Sequence, residues 1–129
     1  MALSIAIDGN RYTDFSRGDR EVVQVFSSAD AIVLPFIVVA ELRAGFLGGS
    51  RSAENERNLT RFLRKDRVSV LFPDDATTHL YATLHIDLRR AGTPIPTNDL
   101  WIAALVLQHD LVLFSRDRHF DRLPRLPRV

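Results

Sequence analysis

The stretch LSIAIDGN, residues 3–10, decides how the rest of the chain is read. Leu3 to Ile7 is short, apolar and closed by Asp8, Gly9 and Asn10, the pattern of a strand buried on both faces. Strands of that kind belong to parallel sheets, and parallel neighbours need long crossovers that are usually helical. The run therefore predicts an alternation of short apolar segments with helices along the chain. The carboxylate at its end has a local explanation, an Asx-turn, but it also stands where a parallel sheet places its ligands.

Moving outward, Arg20 to Ser28 carries Val22, Val23, Val25 and Phe26 among polar residues and predicts a short helix. AIVLP, Ala31 to Pro35, reads as a second strand ended by proline. FIVVAELRAGF, Phe36 to Phe46, is apolar at helical spacing and stops at Gly48 and Gly49. Arg51 to Lys65 is a polar helix with Leu59, Phe62 and Leu63 as its apolar edge. RVSVLFP, Arg67 to Pro73, predicts a third strand. Asp74 to Arg90 predicts a long helix whose acidic start and arginine end suit the helix dipole. The loop GTPIPTND leads into Asp99 to Gln108, where LWIAALVL predicts a helix buried nearly all round. LVLF, Leu111 to Phe114, is a fourth strand, RDRHFDRL a helical turn and RLPRV a frayed fifth strand. The expectation is an α/β protein with three layers. A parallel sheet of four to five strands is flanked by helices on both faces, in a single domain over residues 1–129.

The bulk composition narrows the chemistry. With 46% apolar and 26% charged residues, the 129-residue chain is an ordinary soluble globule able to bury a core. It holds no cysteine, so disulfides, thiolate catalysis and cysteine-type zinc sites are excluded, and any metal must be held by oxygen or histidine. No apolar run reaches the roughly 18 residues of a membrane span, and the N-terminus lacks a signal-peptide pattern. These features predict a cytoplasmic protein with no membrane partner. A net charge of +1 argues against a protein that coats nucleic acid indiscriminately. Placement says more: of 17 basic residues only Lys65 is lysine, and Arg116, Arg118, Arg122, Arg125 and Arg128 crowd the C-terminal stretch. Guanidinium groups suit phosphate through their bidentate fork, although a charge run is also what a solvated face looks like.

Four carboxylates stand where they can converge. Asp8 ends the first strand, Asp117 follows the fourth, and Asp99 opens the buried helix that leads into the fourth. Glu41 falls beside Ile37 and Val38 by helical spacing, which places it inside the apolar arc of its helix. Each has a structural explanation when taken alone. Asp8 can make a turn, Asp99 can complement the helix dipole beside an Asn98 cap, Asp117 can cap the next turn, and Glu41 can pair with an arginine. Together, at one edge of the sheet and without basic partners, they would repel one another, and a divalent cation is the natural neutraliser. Oxygen-only ligation points to Mg²⁺ or Mn²⁺.

The ordered set IDGN, AEL, TND and SRDRHF resembles the PIN-domain nucleases, in particular the VapC-type toxins of toxin–antitoxin pairs, over nearly the whole chain. The resemblance implies a PIN-like fold and a metal site made by Asp8, Glu41, Asp99 and Asp117. It implies a Mg²⁺-dependent (or Mn²⁺-dependent) endoribonuclease acting on RNA, a small antitoxin protein that puts an arginine among the carboxylates, and a homodimer. Asn10, Thr97 and Ser115 are the supporting polar residues. Arg116 and Arg118, which flank Asp117, and Arg43, near Glu41, are the candidates for phosphate contacts. The four histidines need no catalytic role, Trp101 reads as core, and Phe120 can stack on a base. The pattern departs from the family at Gly9, where a small hydroxyl residue is usual, and in a final strand broken by Pro124 and Pro127. Gly9 keeps open a catalytically weak or inactive PIN-like RNA-binding or scaffold protein. A receiver-like phospho-signalling domain also gathers acids around Mg²⁺, but it needs a lysine at the site, and Lys65 lies in a polar helix away from every acid motif.

Overall fold

The computed structural model describes residues 3–129. Strand β1 (Ser4–Ile7) is followed by helices α1 (Gly9–Ser16) and α2 (Arg20–Ser28), then by β2 (Ala31–Pro35). Helices α3 (Phe36–Leu47) and α4 (Ser52–Leu63) precede β3 (Val68–Leu71). Helices α5 (Asp75–Arg90) and α6 (Thr97–Gln108) then lead to β4 (Val112–Phe114) and a 3₁₀ turn at Arg118–Arg122. The sheet order is β3-β2-β1-β4, with every pair parallel. Ile5 pairs with Ile32 on one side and with Val112 on the other. The fold is thus the α/β architecture of a parallel sheet flanked by helices. The expected fifth strand survives as one parallel bridge between Leu113 and Arg128, closed by hydrogen bonds from Leu113 N to Pro127 O (2.8 Å) and from Val129 N to Leu113 O (3.0 Å). Two prolines so close together leave too few free N–H groups for a longer ladder.

The chain steps from β1 to β2 to β3 in one direction and then returns to the far side of β1 for β4. That reversal is the topological switch point, and open parallel sheets present their ligand crevice beyond the carboxyl ends of the strands there. The two strands that meet at the reversal, β1 and β4, run directly into Asp8 and Ser115 respectively.

The core runs through the sheet into α6. Ile5, Leu34 and Leu113 are fully buried, as are Ile102 and Leu105 of α6. No helix among the described residues is long and apolar enough to cross a membrane. Caps fix both ends of α5. Asp74 and Thr77 form a capping box at the start of α5, and Gln108 at the end of α6 donates to the same Asp74 carboxylate at 2.8 Å. Gly92, at φ 72°, closes α5 with hydrogen bonds from Gly92 N to Arg89 O and Thr93 N to Leu88 O, a left-handed position that suits glycine.

Helix α1 is absent from the sequence expectation. Its first residues, Gly9 and Asn10, are poor helix formers, and Tyr12 is its one buried residue, so no apolar period marks it. Helix α6 begins at Thr97, two residues earlier than expected, so Asn98 lies within its first turn and does not cap it.

Candidate functional site

Each acid reaches the carboxyl edge by a local device. Asp8 leaves β1 and becomes the N-cap of α1, accepting the Arg11 backbone N–H at 3.2 Å through Oδ1. Its other oxygen accepts the hydroxyl proton of Ser115, the residue that follows β4. The same Ser115 Oγ accepts the Asp117 backbone N–H at 3.0 Å, so one hydroxyl ties together the two strand ends at the switch point. Asp117 caps the 3₁₀ turn, accepting His119 N at 2.9 Å. Asp99 sits in the first turn of α6, and Glu41 projects from α3, where Asn98 of α6 donates to it at 3.2 Å.

All four acids line one cavity of roughly 230 Å³, together with Gly9, Asn10, Leu42 and Ile102. No arginine or lysine is among the residues lining it. A larger cavity of about 580 Å³ lies elsewhere and is lined by Phe15, Phe26, Phe62 and Lys65; it contains none of the four acids, and with Lys65 there the receiver-like reading lacks its lysine.

The electrostatics are those of crowded carboxylates. Burial pushes the Asp8 carboxyl above its ordinary value; the Ser115 and Arg11 hydrogen bonds oppose the shift, and the charge of Asp117 adds to it. Asp99 is likewise raised, chiefly by burial, opposed by its bond to His119 and reinforced by Asp117 and Glu41. Asn10 Oδ1, on the cavity wall, is buried with no hydrogen-bond partner. Mutually repelling carboxylates and an acceptor without a donor fit a divalent cation with its water.

Several expected features are corrected. Glu41 is exposed at the rim, not buried in the apolar arc: α3 buries Val38, Val39 and Leu42, and Glu41 flanks that stripe on the cavity side. Arg43 is engaged by Glu56 at 2.9 and 3.1 Å, and Arg116 by Asp14 at 3.0 and 3.2 Å, so each would have to leave an exposed ion pair to meet phosphate. Arg118 is exposed and carries no ion pair among the described residues. Thr97 is exposed beside a different cavity, with His85 and Arg89, and makes no hydrogen bond to Asp99. Phe120 is 1% exposed and belongs to the core, which removes it as a base-stacking surface. Trp101 packs against Tyr81, ring centroids 4.3 Å apart, and stays half-buried.

Sequence reasoning passed over His119. Its Nδ1 lies 2.7 Å from Asp99 Oδ2 and 3.1 Å from Asp117 Oδ1, and one ligand atom from each of these three residues falls within 4.8 Å of the others. The groups that could hold a metal are therefore not oxygen donors alone. The signal that could have found it is its spacing, two residues after a capping aspartate.

Comparison with known proteins agrees with this fold. The PIN domain family model matches residues 10–126, beginning just past Asp8. The chain belongs to the PIN domain family. Ribonuclease VapC1 of Haemophilus influenzae (strain R2866) is 34% identical over 98 residues, 75% of this chain and 72% of the relative. Ribonuclease VapC4 of Mycobacterium tuberculosis is 31% identical over 88 residues, 68% of each chain. The solved structure of VapBC-1 from nontypeable Haemophilus influenzae superposes with a TM-score of 0.86 at 26% identity, covering 98% of this chain and 97% of its counterpart. The likeness to that structure extends over the whole fold.

Proposed function

We propose that this PIN-domain protein is a Mg²⁺- or Mn²⁺-dependent endoribonuclease and the toxin of a toxin–antitoxin pair. The observation that carries the reading is the single cavity lined by Asp8, Glu41, Asp99 and Asp117 with no basic side chain on its wall. The names of the relatives, Ribonuclease VapC1 and VapC4, support the choice of RNA.

In this reading Asp8, Asp99 and Asp117, with Glu41 at the rim, hold the cation directly or through water. When bound, the ion supplies an activated water and offsets charge on the phosphodiester. The protein's part is positional. Ser115 fixes Asp8 relative to Asp117, Asn98 fixes Glu41, and Asn10 offers a buried acceptor to the cation's water. A Cβ at position 9 would meet Leu42 Cδ2 at 3.6 Å, an ordinary contact, so packing does not exclude the hydroxyl residue usual in the family. Arg118 is the remaining candidate for a phosphate contact near Asp117.

The acid-lined cavity suits an antitoxin whose arginine would replace the cation's charge by bidentate pairing. Self-association is supported by Leu47 and Phe72, which are 79% and 68% exposed.

The test is cleavage of a mixed RNA pool by purified protein with Mg²⁺, Mn²⁺ or EDTA, beside Asp8→Asn and Asp99→Asn. Discrete fragments that disappear with EDTA and in both variants are expected. Cleavage that persists in either variant, or none by folded wild type with any metal, contradicts the reading.

A further inference from the structure

We propose that His119 is a ligand of the cation through Nδ1, and that this nitrogen gives the site a preference for Mn²⁺ over Mg²⁺. The inference rests on the metal-dependent reading above and concerns which ion that site selects.

The geometry carries the argument. Cis donors around an octahedral ion at about 2.1 Å stand about 3.0 Å apart. The separations from His119 Nδ1 to Asp99 Oδ2 and to Asp117 Oδ1 are 2.7 and 3.1 Å, so the nitrogen already sits at the spacing of a third donor. The position is fixed from the backbone, because His119 N donates to Asp117 Oδ1 at 2.9 Å within the 3₁₀ turn. With no ion bound, the short contact to Asp99 is a hydrogen bond that needs a proton on one of the two atoms. Ligation needs the Nδ1 lone pair, and the imidazole meets that need by carrying its proton on Nε2. The ring is 45% exposed, so Nε2 can be hydrated.

Ion preference follows from donor chemistry. Mg²⁺ favours oxygen and gives up its water reluctantly, whereas imidazole suits the first-row transition metals and carboxylate suits Mn²⁺ as well as Mg²⁺. A site of two or more carboxylates and one imidazole is therefore one that Mn²⁺ fills with both kinds of donor. Among the described residues, His119 is the one histidine grouped with these acids, so a nitrogen signal from a bound ion has a single source.

The experiment is Mn²⁺ binding to the metal-stripped full chain, followed by electron paramagnetic resonance with Mg²⁺ as competitor. Electron spin-echo spectra report nitrogen coupling to the bound ion. Wild type is expected to show that coupling and a Mn²⁺-to-Mg²⁺ affinity ratio about tenfold above that of His119→Gln, which offers an oxygen of similar reach. His119→Ala, with its fold checked by circular dichroism, is expected to lose the coupling. Bound Mn²⁺ without nitrogen coupling in wild type, coupling that survives in both variants, or an unchanged affinity ratio overturns the proposal. Asp99→Asn separates the two levels: if it binds Mn²⁺ as wild type does, or if wild type binds none, the metal reading itself fails.

Discussion

Asp8 is held by opposing forces. Burial to 6% exposure disfavours its charge, while the Arg11 N–H and the Ser115 hydroxyl stabilise it. The net shift is upward, which fixes a pH signature. A carboxyl raised in the folded state costs nothing below its unfolded pKa, near 3.8. The cost grows as pH climbs from there to the raised value and is constant above it. Asp8→Asn, which keeps the N-cap, should therefore raise the melting temperature of metal-free protein at neutral pH, with the gain fading as pH falls toward 3.8. Thermal melts in EDTA across pH check this; an equal gain at every pH would mean that charge is not the cause. Ser115→Ala should cost about 1–3 kcal/mol by urea unfolding and lower RNA cleavage, because Asp8 and Asp117 lose their shared tie. Legibility at this scale was uneven. Asp8, Asp99 and Asp117 were visible because strand ends and helix starts are where this topology displays residues. The role of Ser115 followed from its neighbour. The rim position of Glu41 was hidden because the apolar residues of α3 are spread around the helix and mark its buried stripe, Val38, Val39 and Leu42, only weakly. The pairing of Arg116 with Asp14 spans 102 residues, a separation for which local sequence has no signal.

Among the elements, α1 and the loop after β4 act as one support for the site. Arg116 reaches Asp14 of α1, and Arg11 of α1 lies over the Phe114 ring of β4, 4.2 Å from its centroid. Strands and long helices were readable from period and punctuation, and α2 and β2 fall at their expected ends. The capping of α1 by Asp8 was not readable, since an Asp-Gly-Asn sequence is equally a turn until a partner for Arg11 N is known. On the opposite side, the α5–α6 pair is locked by Thr77 and Gln108 around Asp74. Thr77→Val should destabilise the protein by about 1–2 kcal/mol, read by urea denaturation, through loss of the capping box. Metal binding should be unaffected, because none of these residues lines the acid cavity.

For the molecule as a whole, reversal of the strand order at β1 brings acids separated in sequence to one edge, and the surface around them decides what can approach. Arg118 is exposed and has no ion pair among the described residues, while Arg43 is already bonded to Glu56. In an Asp99→Asn background that binds RNA without cutting it, Arg118→Ala should reduce the slope of log affinity against log salt by about 0.7, and Arg43→Ala should leave it unchanged. Equal slopes for both would remove Arg118 from the phosphate path. Exposed Phe72, stacked on Phe36 with centroids 6.4 Å apart, should matter for self-association, so Phe72→Ser should lower the mass seen by light scattering. An unchanged mass would place any dimer contact elsewhere. The central claim, that Asp8, Glu41, Asp99 and Asp117 make one cation site, is tested most directly by anomalous diffraction from crystals grown with Mn²⁺. The account predicts a single dominant peak inside the cavity bounded by those four acids, next to Asp99 and Asp117. Crystals in which Mn²⁺ binds only elsewhere, with this cavity holding water alone, would contradict it.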